Sequence, residues 1–398
     1  MSAQNTKNSE YRTVIHVDLD AFFCAVEELN DPSLKGKAFS VGGGERGVVV
    51  SASYAARKFG VRSAMPGIRA KRLCPNIITV GRNHGEYSKY SSQVMDILRS
   101  FSPITQPISI DEAFLDVTEL GEDGREYGLE IQREIRNQLG LPSSLGIASN
   151  KLVAKIATNT GKAMHDGNDY PNAVLAVAPG KEIEFLAPLP SDALWGVGPK
   201  TSNRLRELGI KTIGDIAAYS ATELETRFGQ VGKYLHFRAQ GLDKSPVRIY
   251  RDTKSVSHEN TFFENTSDEE QIRATIHRHC ESIAKRLNKK GLAGKTVKLK
   301  IRWPDFTTFT RQLSLAQATA DVTQIEEAAL ELFSRHWSAG KHIRLLGVGV
   351  GQLNSPKSQL SLWDFDAVKV ARKERLEDAL RGIENKYGEK IIGTAGSL

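Results

Sequence analysis

The chain has 398 residues and a formal net charge of +7, and its 40% hydrophobic and 25% charged residues exclude wholesale disorder and a fibrous architecture. No apolar run reaches the roughly 18 residues of a membrane-spanning helix, and the polar N-terminus lacks the apolar segment of a secretory signal. At about 150 residues per domain the length predicts two to four domains, and three widely spaced cysteines favour a reducing, cytoplasmic location over a disulfide framework.

Strands alternate with helices over residues 13–159, which predicts an α/β or α+β layer around one sheet. The predicted strands are 13–17, 38–41, 48–52, 107–110, 113–117 and 144–148, and the predicted helices are 21–29, 54–59, 85–101, 128–139 and 151–159. Asp20 directly precedes the first helix and is a residue type that commonly caps helix N-termini, so we expect it to cap this one.

The pattern changes after residue 187. Residues 188–241 predict short helices separated by glycines, the polar and basic residues 242–254 predict a linker, and 255–353 predict a further α+β unit. The other predicted elements are a basic strand at 296–303, an apolar strand at 345–350, a short linker at 354–358 and an amphipathic helix at 367–387.

The positive charge is concentrated in the second half of the chain. Residues 244–355 contain 18 Lys and Arg against 12 Asp and Glu, so this stretch holds six of the seven excess positive charges. Such a concentration is typical of a surface that binds a phosphate backbone, and a solvated basic surface is the alternative.

Two motifs with familiar spacing lack the context that their function requires. Gly42, Gly44 and Gly47 have the spacing of a dinucleotide-binding loop, but a strand follows them instead of a helix, which favours a hairpin turn. His277, His279 and Cys280 suggest metal ligands, but helical geometry would separate these positions and no fourth ligand is nearby, so we expect a structural or surface role for them.

Two predicted strands carry acidic pairs. Asp18 and Asp20 lie at the end of the first strand, and Asp111 and Glu112 lie between two apolar runs. If these strands are neighbours, Asp18, Asp111 and Glu112 converge, and buried carboxylates need a compensating cation. Mg²⁺ prefers carboxylate and phosphate oxygens, so this pattern predicts a two-metal site for phosphoryl transfer. Helix caps or salt-bridge partners are the alternative.

A second polar group begins the predicted helix 54–59. Ser51, Tyr54 and Arg57 recur at a spacing of three, so Tyr54 and Arg57 share a helix face. A hydroxyl, a phenol and a guanidinium near a helix N-terminus suit a polyphosphate. Lys162, which follows the predicted helix 151–159, is a further candidate.

Four segments occur in an order that resembles one enzyme family. They are Asp18–Phe23, Ser51–Gly60, Ser109–Val117 and Gly146–Ala157, and they resemble signature segments of Y-family translesion DNA polymerases, most closely the bacterial DNA polymerase IV branch. The resemblance extends over residues 11–353. It implies an α+β right-hand polymerase with a ferredoxin-like palm (11–30 and 81–187), small fingers (31–80), a helical thumb with a helix-hairpin-helix (188–241), a linker (242–254), an α+β little finger (255–353) and a tail (354–398).

The resemblance also implies roles for individual residues. Asp18, Asp111 and Glu112 match the catalytic, metal-binding carboxylates, with the backbone carbonyl of Leu19 as a further ligand; Asp20 would support them. The implied cofactors are two Mg²⁺ ions, for which Mn²⁺ can substitute. The nucleotide-binding positions are Phe22, Phe23, Ser51, Tyr54, Arg57 and Lys162, and Phe23 is the steric gate against a ribose 2′-hydroxyl. Simple core packing is the alternative for Phe23.

Further positions match contacts with macromolecules. Those for DNA are Gly196, Gly198, Lys200 and Thr201 in the hairpin and Lys298, Lys300 and Arg302 in the basic strand; Gln359, Leu360, Leu362 and Trp363 resemble a bacterial sliding-clamp-binding peptide.

The sequence therefore predicts a monomeric, low-fidelity, template-directed DNA polymerase for translesion synthesis. Its expected partners are primer–template DNA, deoxynucleoside triphosphates and the sliding clamp, with no membrane. A non-catalytic DNA-binding scaffold derived from polymerases and a nucleotidyl cyclase are the alternatives; retention of the three carboxylates disfavours the first, and the basic C-terminal unit disfavours the second.

Overall fold

The computed structural model describes residues 11–120, 123–165, 167, 169–250 and 252–354. The chain divides into two compact units between Asp252 and Thr253, inside the stretch for which the sequence predicts a linker. The predicted clamp-binding peptide and the C-terminal amphipathic helix lie outside the described residues. In the described part of the chain, no helix has the length and apolar character needed to cross a bilayer.

The first unit contains eight described strands and eleven described helices. The strands are β1 Val14–Leu19, β2 Phe39–Gly42, β3 Val49–Ala52, β4 Ile78–Val80, β5 Thr105–Pro107, β6 Glu112–Asp116, β7 Ser143–Ala148 and β8 Val174–Ala176. The helices are α1 Phe22–Asn30, α2 Tyr54–Lys58, α3 Gly67–Leu73, α4 His84–Phe101, α5 Gly124–Leu139, α6 Lys151–Ala163, α7 Glu182–Leu186, α8 Pro199–Glu207, α9 Ile213–Ala218, α10 Ala221–Phe228 and α11 Gln230–Ala239.

The central sheet of this unit has the strand order β5-β6-β1-β7-β8. β1 lies in the middle and is antiparallel to both β6 and β7. Because side chains alternate along a strand, Ile15, Val17 and Leu19 point to one face, where they join a core that includes residues of α4 and α5. Val14, His16 and Asp18 point to the opposite face, which α6 covers.

Gly146 determines how closely α6 approaches this sheet. A Cβ at Gly146 would lie 2.1 Å from the Ala154 carbonyl oxygen and 2.4 Å from the Thr158 backbone nitrogen, which leaves no room for a side chain. The glycine in β7 therefore lets the backbone of α6 pack directly on the face that carries His16 and Asp18.

A smaller, three-stranded sheet of order β3-β2-β4 forms a separate layer. β2 and β3 are antiparallel, Gly42 ends β2, and Gly44 and Gly47 lie in the connection to β3, so the predicted hairpin turn is confirmed. α2 follows β3, and the Ser53 hydroxyl caps it by accepting the Ala56 N–H at 3.2 Å. The core beneath this sheet is small and includes Val49, Ala52 and Val61.

Part of the predicted linker is attached to the first unit. The Asn150 amide donates to the Gly241 carbonyl at 2.9 Å, and the Lys151 ammonium donates to the Pro246 carbonyl at 2.8 Å. Val247 is buried in the core around α6. The rest of this stretch is largely exposed, and Tyr250, just before the boundary between the two units, is 87% exposed.

The second unit is a four-stranded antiparallel sheet covered on one face by two helices. Its elements are β9 Ser255–Thr266, α12 Glu269–Lys289, β10 Ala293–Arg302, β11 Thr308–Thr319, α13 Val322–His336 and β12 Ile343–Asn354, with the strand order β11-β10-β12-β9. Val297, Leu299 and Ile301 face the helices and form its core. His279 and Cys280 on α12 are buried, the His279 ring lies 4.6 Å from that of His258 on β9, and His277 contacts Glu326 at 2.8 Å.

Three local predictions differ from the structure. Asp20 does not cap α1: Ala21 holds the N-cap position, with a left-handed φ of 43°, and makes no side-chain cap hydrogen bond. The strand predicted at 107–110 is largely a turn, because the Ile108 and Ser109 amides both donate to the Glu112 carbonyl. α6 extends to Ala163, so Lys162 lies in its last turn instead of after it.

Candidate active site

Asp18, Asp111 and Glu112 meet at one end of the central sheet. Asp18 and Glu112 are register partners on β1 and β6, and both side chains point to the face that α6 covers. Asp111 lies in the turn that leads into β6, where the Leu19 N–H donates to its backbone carbonyl at 3.0 Å. The Ser109 hydroxyl donates to the Asp111 carboxylate at 2.6 Å. The side chain of Leu19 is buried, so this residue can offer only its backbone.

Two lysines on α6 neutralise the carboxylates. The Lys162 ammonium donates to Asp18 at 2.5 Å and lies 3.0 Å from Asp20, and the Lys155 ammonium donates to Glu112 at 2.6 Å. The two lysines are seven residues apart, which is two helical turns, so they project from the same side of the helix. Close packing of α6 on the sheet therefore brings each ammonium to its carboxylate.

Burial makes this compensation incomplete at Asp18. Desolvation, with the nearby Glu112 and Asp111 carboxylates, raises the pKa of Asp18 to about 7, although the Lys162 ammonium opposes the shift. Burial also disfavours the ionised form of Glu112, but the nearby His16 ring, 3.8 Å away, and the hydrogen-bonded Lys155 ammonium outweigh it and lower the pKa of Glu112 to about 2. Burial lowers the pKa of His16 to about 4, so this imidazole is neutral near pH 7.

Asp20 is fully buried and supports the site through three partners. The Ser144 hydroxyl lies 2.9 Å from both of its carboxylate oxygens, the Asn172 N–H donates to it at 3.1 Å, and the Lys162 ammonium lies 3.0 Å away. These partners give both oxygens of the buried Asp20 carboxylate a hydrogen bond or an ion pair. The shared contact with Lys162 links Asp20 to Asp18.

Phe22 and Phe23 differ in how far their side chains are buried. Phe22 is buried in the core, so a contact with a nucleotide would have to use its backbone. Phe23 is half-buried, and its ring centroid lies 4.5 Å from that of Tyr87. The Tyr87 hydroxyl donates to the Glu27 carboxylate at 2.5 Å, so the ring behind Phe23 is itself held in position.

Of the predicted phosphate contacts, Tyr54, Arg57 and Lys162 lie near the carboxylates, and Ser51 faces inward. The Arg57 guanidinium lies 4.4 Å from the Tyr54 ring centroid, and its Nε donates to the Ala52 carbonyl at 3.0 Å. Burial, followed by the charge of Asp20, raises the pKa of Tyr54 to about 12, while Arg57 and Lys162 oppose the shift. Ser51 is buried, and its hydroxyl bonds with the Cys24 thiol.

The carboxylates of Asp18, Asp111 and Glu112 are the type of ligand that a hard divalent cation prefers, although two of them contact lysines in this structure. Within the described ranges, no three His, Cys, Asp or Glu side chains converge as a ready metal-binding group. Asp18 and Glu112 are instead directed to Lys162 and Lys155. Their carboxylate oxygens and their adjacent positions on paired strands would suit Mg²⁺ once the contacts with the two lysines open.

The predicted DNA contacts lie on two exposed features, one in each unit. In the first unit, Gly196 (φ +105°), Gly198 and Lys200 are exposed at the N-terminus of α8 and Thr201 is half-buried; a 3-10 turn, Ser191–Ala193, precedes this hairpin. The Arg238 guanidinium donates to the Trp195 carbonyl at 3.0 Å beside it. In the second unit, Lys298, Lys300 and Arg302 lie on the sheet face opposite the helices.

Sequence reasoning missed several residues that shape the site. Lys155, His16 and Ser144 each contact or hold one of the predicted carboxylates, and none was selected from the sequence. The seven-residue spacing of Lys155 and Lys162 was the available signal, because it places two ammonium groups on one face of a helix. Nothing in the local sequence marks the partnership of Ser144 with Asp20, which lies 124 residues away.

Comparison with known families assigns most of the chain. Residues 17–159 match the impB/mucB/samB family and residues 253–362 match the C-terminal domain of the same family. Residues 192–243 match the thumb domain described for DNA polymerase iota.

Similar proteins and solved structures agree with this assignment. Dehalococcoides mccartyi (strain CBDB1) has a protein named DNA polymerase IV that is 41% identical over 389 residues, covering 96% of this chain and 97% of that one. The DNA polymerase IV of Bacillus velezensis is 34% identical over 392 residues, covering 96% and 92% of the two chains. A Y-family polymerase chimera, Dbh-Dpo4(243-245)-Dbh, is 29% identical with a TM-score of 0.74, and DinB from Sulfolobus solfataricus is 28% identical with a TM-score of 0.60; each comparison covers 85% of this chain and 98% of the solved chain.

Two adjacent buried serines in β7 test the support of Asp20. Ser144→Ala removes the hydroxyl donor to a buried carboxylate and should lower the free energy of unfolding by about 2 kcal/mol. Ser143 is equally buried, but its hydroxyl has no hydrogen-bond partner, so Ser143→Ala should be neutral or slightly stabilising. Urea denaturation of both variants measures the difference, and equal losses would contradict the role given to Ser144.

Proposed function

The chain belongs to the impB/mucB/samB family and is a Y-family, translesion DNA polymerase, and we propose that Asp18, Asp111 and Glu112 carry its nucleotidyl-transfer chemistry with two Mg²⁺ ions. The observation that supports this assignment is the register pairing of Asp18 with Glu112 on β1 and β6, with Asp111 one residue away. This arrangement concentrates three acids where the sheet ends, beside the cationic face of α6.

The carboxylates and the lysines have separate tasks in this proposal. Asp18, Asp111, Glu112 and the Leu19 carbonyl would hold the ions. Bound Mg²⁺ would supply positive charge for the triphosphate and would favour deprotonation of the primer 3′-hydroxyl. Lys155 holds the Glu112 carboxylate in its ionised form, as the low pKa of Glu112 indicates.

Tyr54, Arg57 and Lys162 would bind the triphosphate of the incoming nucleotide. The guanidinium offers charged donors, and packing against the Tyr54 ring and the Ala52 carbonyl fixes its direction. Lys162 would exchange its carboxylate partners for phosphate oxygens. Ser51 would need to turn from Cys24 to take part through its hydroxyl.

Phe23 would exclude ribonucleotides. Its half-buried ring follows β1 at the start of α1, close to the carboxylates, and it packs on Tyr87. A ring with firm support behind it cannot retreat from a 2′-hydroxyl, so deoxyribose would be favoured by steric exclusion. Phe22 would contribute through its backbone.

DNA would bind through the hairpin at Gly196–Thr201 and through Lys298, Lys300 and Arg302. Exposed glycines allow backbone N–H groups to approach a phosphate closely, and ammonium and guanidinium groups bind phosphates without reading bases. Such contacts suit an enzyme that copies any sequence. The small core of the layer that contains β2, β3 and β4 supports low fidelity, because little structure is available there to check the new base pair.

We also infer a sliding-clamp contact through Gln359, Leu360, Leu362 and Trp363, which lie outside the described residues. The sequence order supports this contact, since the peptide follows the second unit after a short polar stretch. A monomeric state, a cytoplasmic location and substitution of Mg²⁺ by Mn²⁺ belong to the same proposal and follow from the family resemblance.

Primer extension tests the catalytic assignment. Asp111→Asn should reduce the rate with saturating Mg²⁺ by roughly 100-fold or more, because the metal ions lose one negatively charged ligand. Asp96→Asn, a matched change at an exposed position of α4, should extend like the unmodified protein. Equal activity of the two variants would show that Asp111 is not catalytic and would revive the scaffold interpretation.

Sugar selection tests the role of Phe23. Phe23→Ala should lower the preference for deoxynucleotides over ribonucleotides by at least about tenfold, because the shape that excludes the hydroxyl is removed. Phe23→Tyr retains the flat ring and should keep most of the preference. Ratios of kcat/KM for the two sugars give the measurement, and an unchanged ratio in Phe23→Ala would contradict the steric gate.

Clamp-stimulated synthesis tests the peptide. Removal of residues 359–363 should abolish stimulation by a bacterial sliding clamp while extension without the clamp continues, because Leu362 and Trp363 are the apolar anchors. Retained stimulation would place the clamp contact elsewhere.

A further inference from the structure

The outer face of the second unit's sheet carries mainly basic and polar side chains, together with three glycines, one leucine and one acidic residue. The outward positions of β10 are Thr296, Lys298, Lys300 and Arg302, and those of β11 are Thr308, Thr310, Gln312 and Ser314. The outward positions of β12 are Leu345, Gly347, Gly349 and Gly351, and those of β9 are Ser255, Ser257, Glu259 and Thr261. Glu259 is the one acidic residue among these sixteen described positions.

Glu259 and Lys300 form an ion pair that reaches across an intervening strand. Gly347 is the register partner of Lys300 on one side and of Glu259 on the other. The Lys300 ammonium crosses the glycine and donates to the Glu259 carboxylate at 2.8 Å. A Cβ at Gly347 would lie 2.8 Å from the Glu259 Cβ, so the absence of a side chain there gives the pair its path.

The pair is accessible to solvent, so a phosphate can compete for the lysine. Relative exposure is 32% for the Lys300 side chain and 49% for that of Glu259. Exposed ion pairs contribute little to the free energy of unfolding, so a stabilising effect on the sheet does not by itself explain why Glu259 is acidic. The negative charge of Glu259, however, repels any phosphate that approaches Lys300.

We propose that Glu259 is a positioning residue that limits DNA affinity by competing with phosphate for Lys300. Without DNA, Glu259 holds the ammonium over Gly347; with DNA, Lys300 turns to a phosphate and leaves an unpaired negative charge on the binding face. Both effects favour release of DNA and therefore few nucleotides added per encounter. This inference rests on the proposed DNA contact of the sheet face.

Equilibrium binding of fluorescent primer–template DNA to the full chain, at several salt concentrations, tests the proposal. Glu259→Gln should tighten binding by about three- to tenfold and steepen the dependence of log affinity on log salt by up to about one, since Lys300 then engages a phosphate fully. In a Lys300→Ala background, Glu259→Gln should tighten binding clearly less than in the unmodified chain, because only the repulsion between Glu259 and phosphate is then removed. The number of nucleotides added per binding event should rise in Glu259→Gln.

A charge-matched control separates the local effect from net charge. Glu331→Gln makes the same change on α13, where Glu331 pairs with Arg335 in the helix layer, and should leave affinity close to that of the unmodified chain. Three results would overturn the proposal: no tightening by Glu259→Gln, equal tightening by Glu331→Gln, or full tightening in the Lys300→Ala background.

The variant Lys298→Ala distinguishes a failure of the proposal for Glu259 from a failure of the proposed DNA contact of the sheet face. Lys298 lies on the same face beside Gly349, and its loss should weaken binding. If Lys298→Ala has no effect, the sheet face does not bind DNA and both proposals fail. If it weakens binding while Glu259→Gln has no effect, only the role of Glu259 is wrong.

Discussion

The ion pairs between α6 and the end of the central sheet are the interaction on which the rest of the site depends. Asp18 and Glu112 are adjacent on paired strands, and without Lys162 and Lys155 they would be buried like charges. Close approach of α6 is therefore required, and Gly146 allows it, because any side chain at that position would collide with the helix backbone. Asp20, held by Ser144, completes the arrangement by sharing Lys162.

The two units use the same electrostatic device in different settings. In the mechanism proposed for the first unit, Lys155 and Lys162 neutralise buried acids until metal ions bind the acids and a triphosphate binds Lys162. In the second unit, an exposed acid occupies Lys300 until a phosphate competes for it. Burial explains the contrast: it moves the pKa of Asp18 to about 7, whereas the pair on the open sheet remains exposed to water. The net charge of +7 is thus a sum that includes the carboxylates of the candidate metal site and the basic residues on the sheet face of the second unit.

Much of the fold could be predicted from the sequence, because apolar periodicity reports which face of each element is buried. β1, α1, α4 and β7 lie within a few residues of the predicted bounds. The acidic pairs predicted that Asp18 and Glu112 converge, and the register of β1 and β6 brings them together. Asp20 as a helix cap was wrong, because its long-range partners Ser144 and Lys162 outweigh the local preference for a cap. Lys155 was missed for the same reason: its significance depends on the packing of α6 against a strand far away in sequence.

A crystal structure of the enzyme with primer–template DNA, Mg²⁺ and a non-hydrolysable deoxynucleoside triphosphate tests the central claim most directly. The claim predicts that Asp18, Asp111 and Glu112 coordinate the ions and that the Lys162 ammonium has left Asp18 for the triphosphate. Ions bound elsewhere, with the 2.5 Å contact between Lys162 and Asp18 intact, would contradict it.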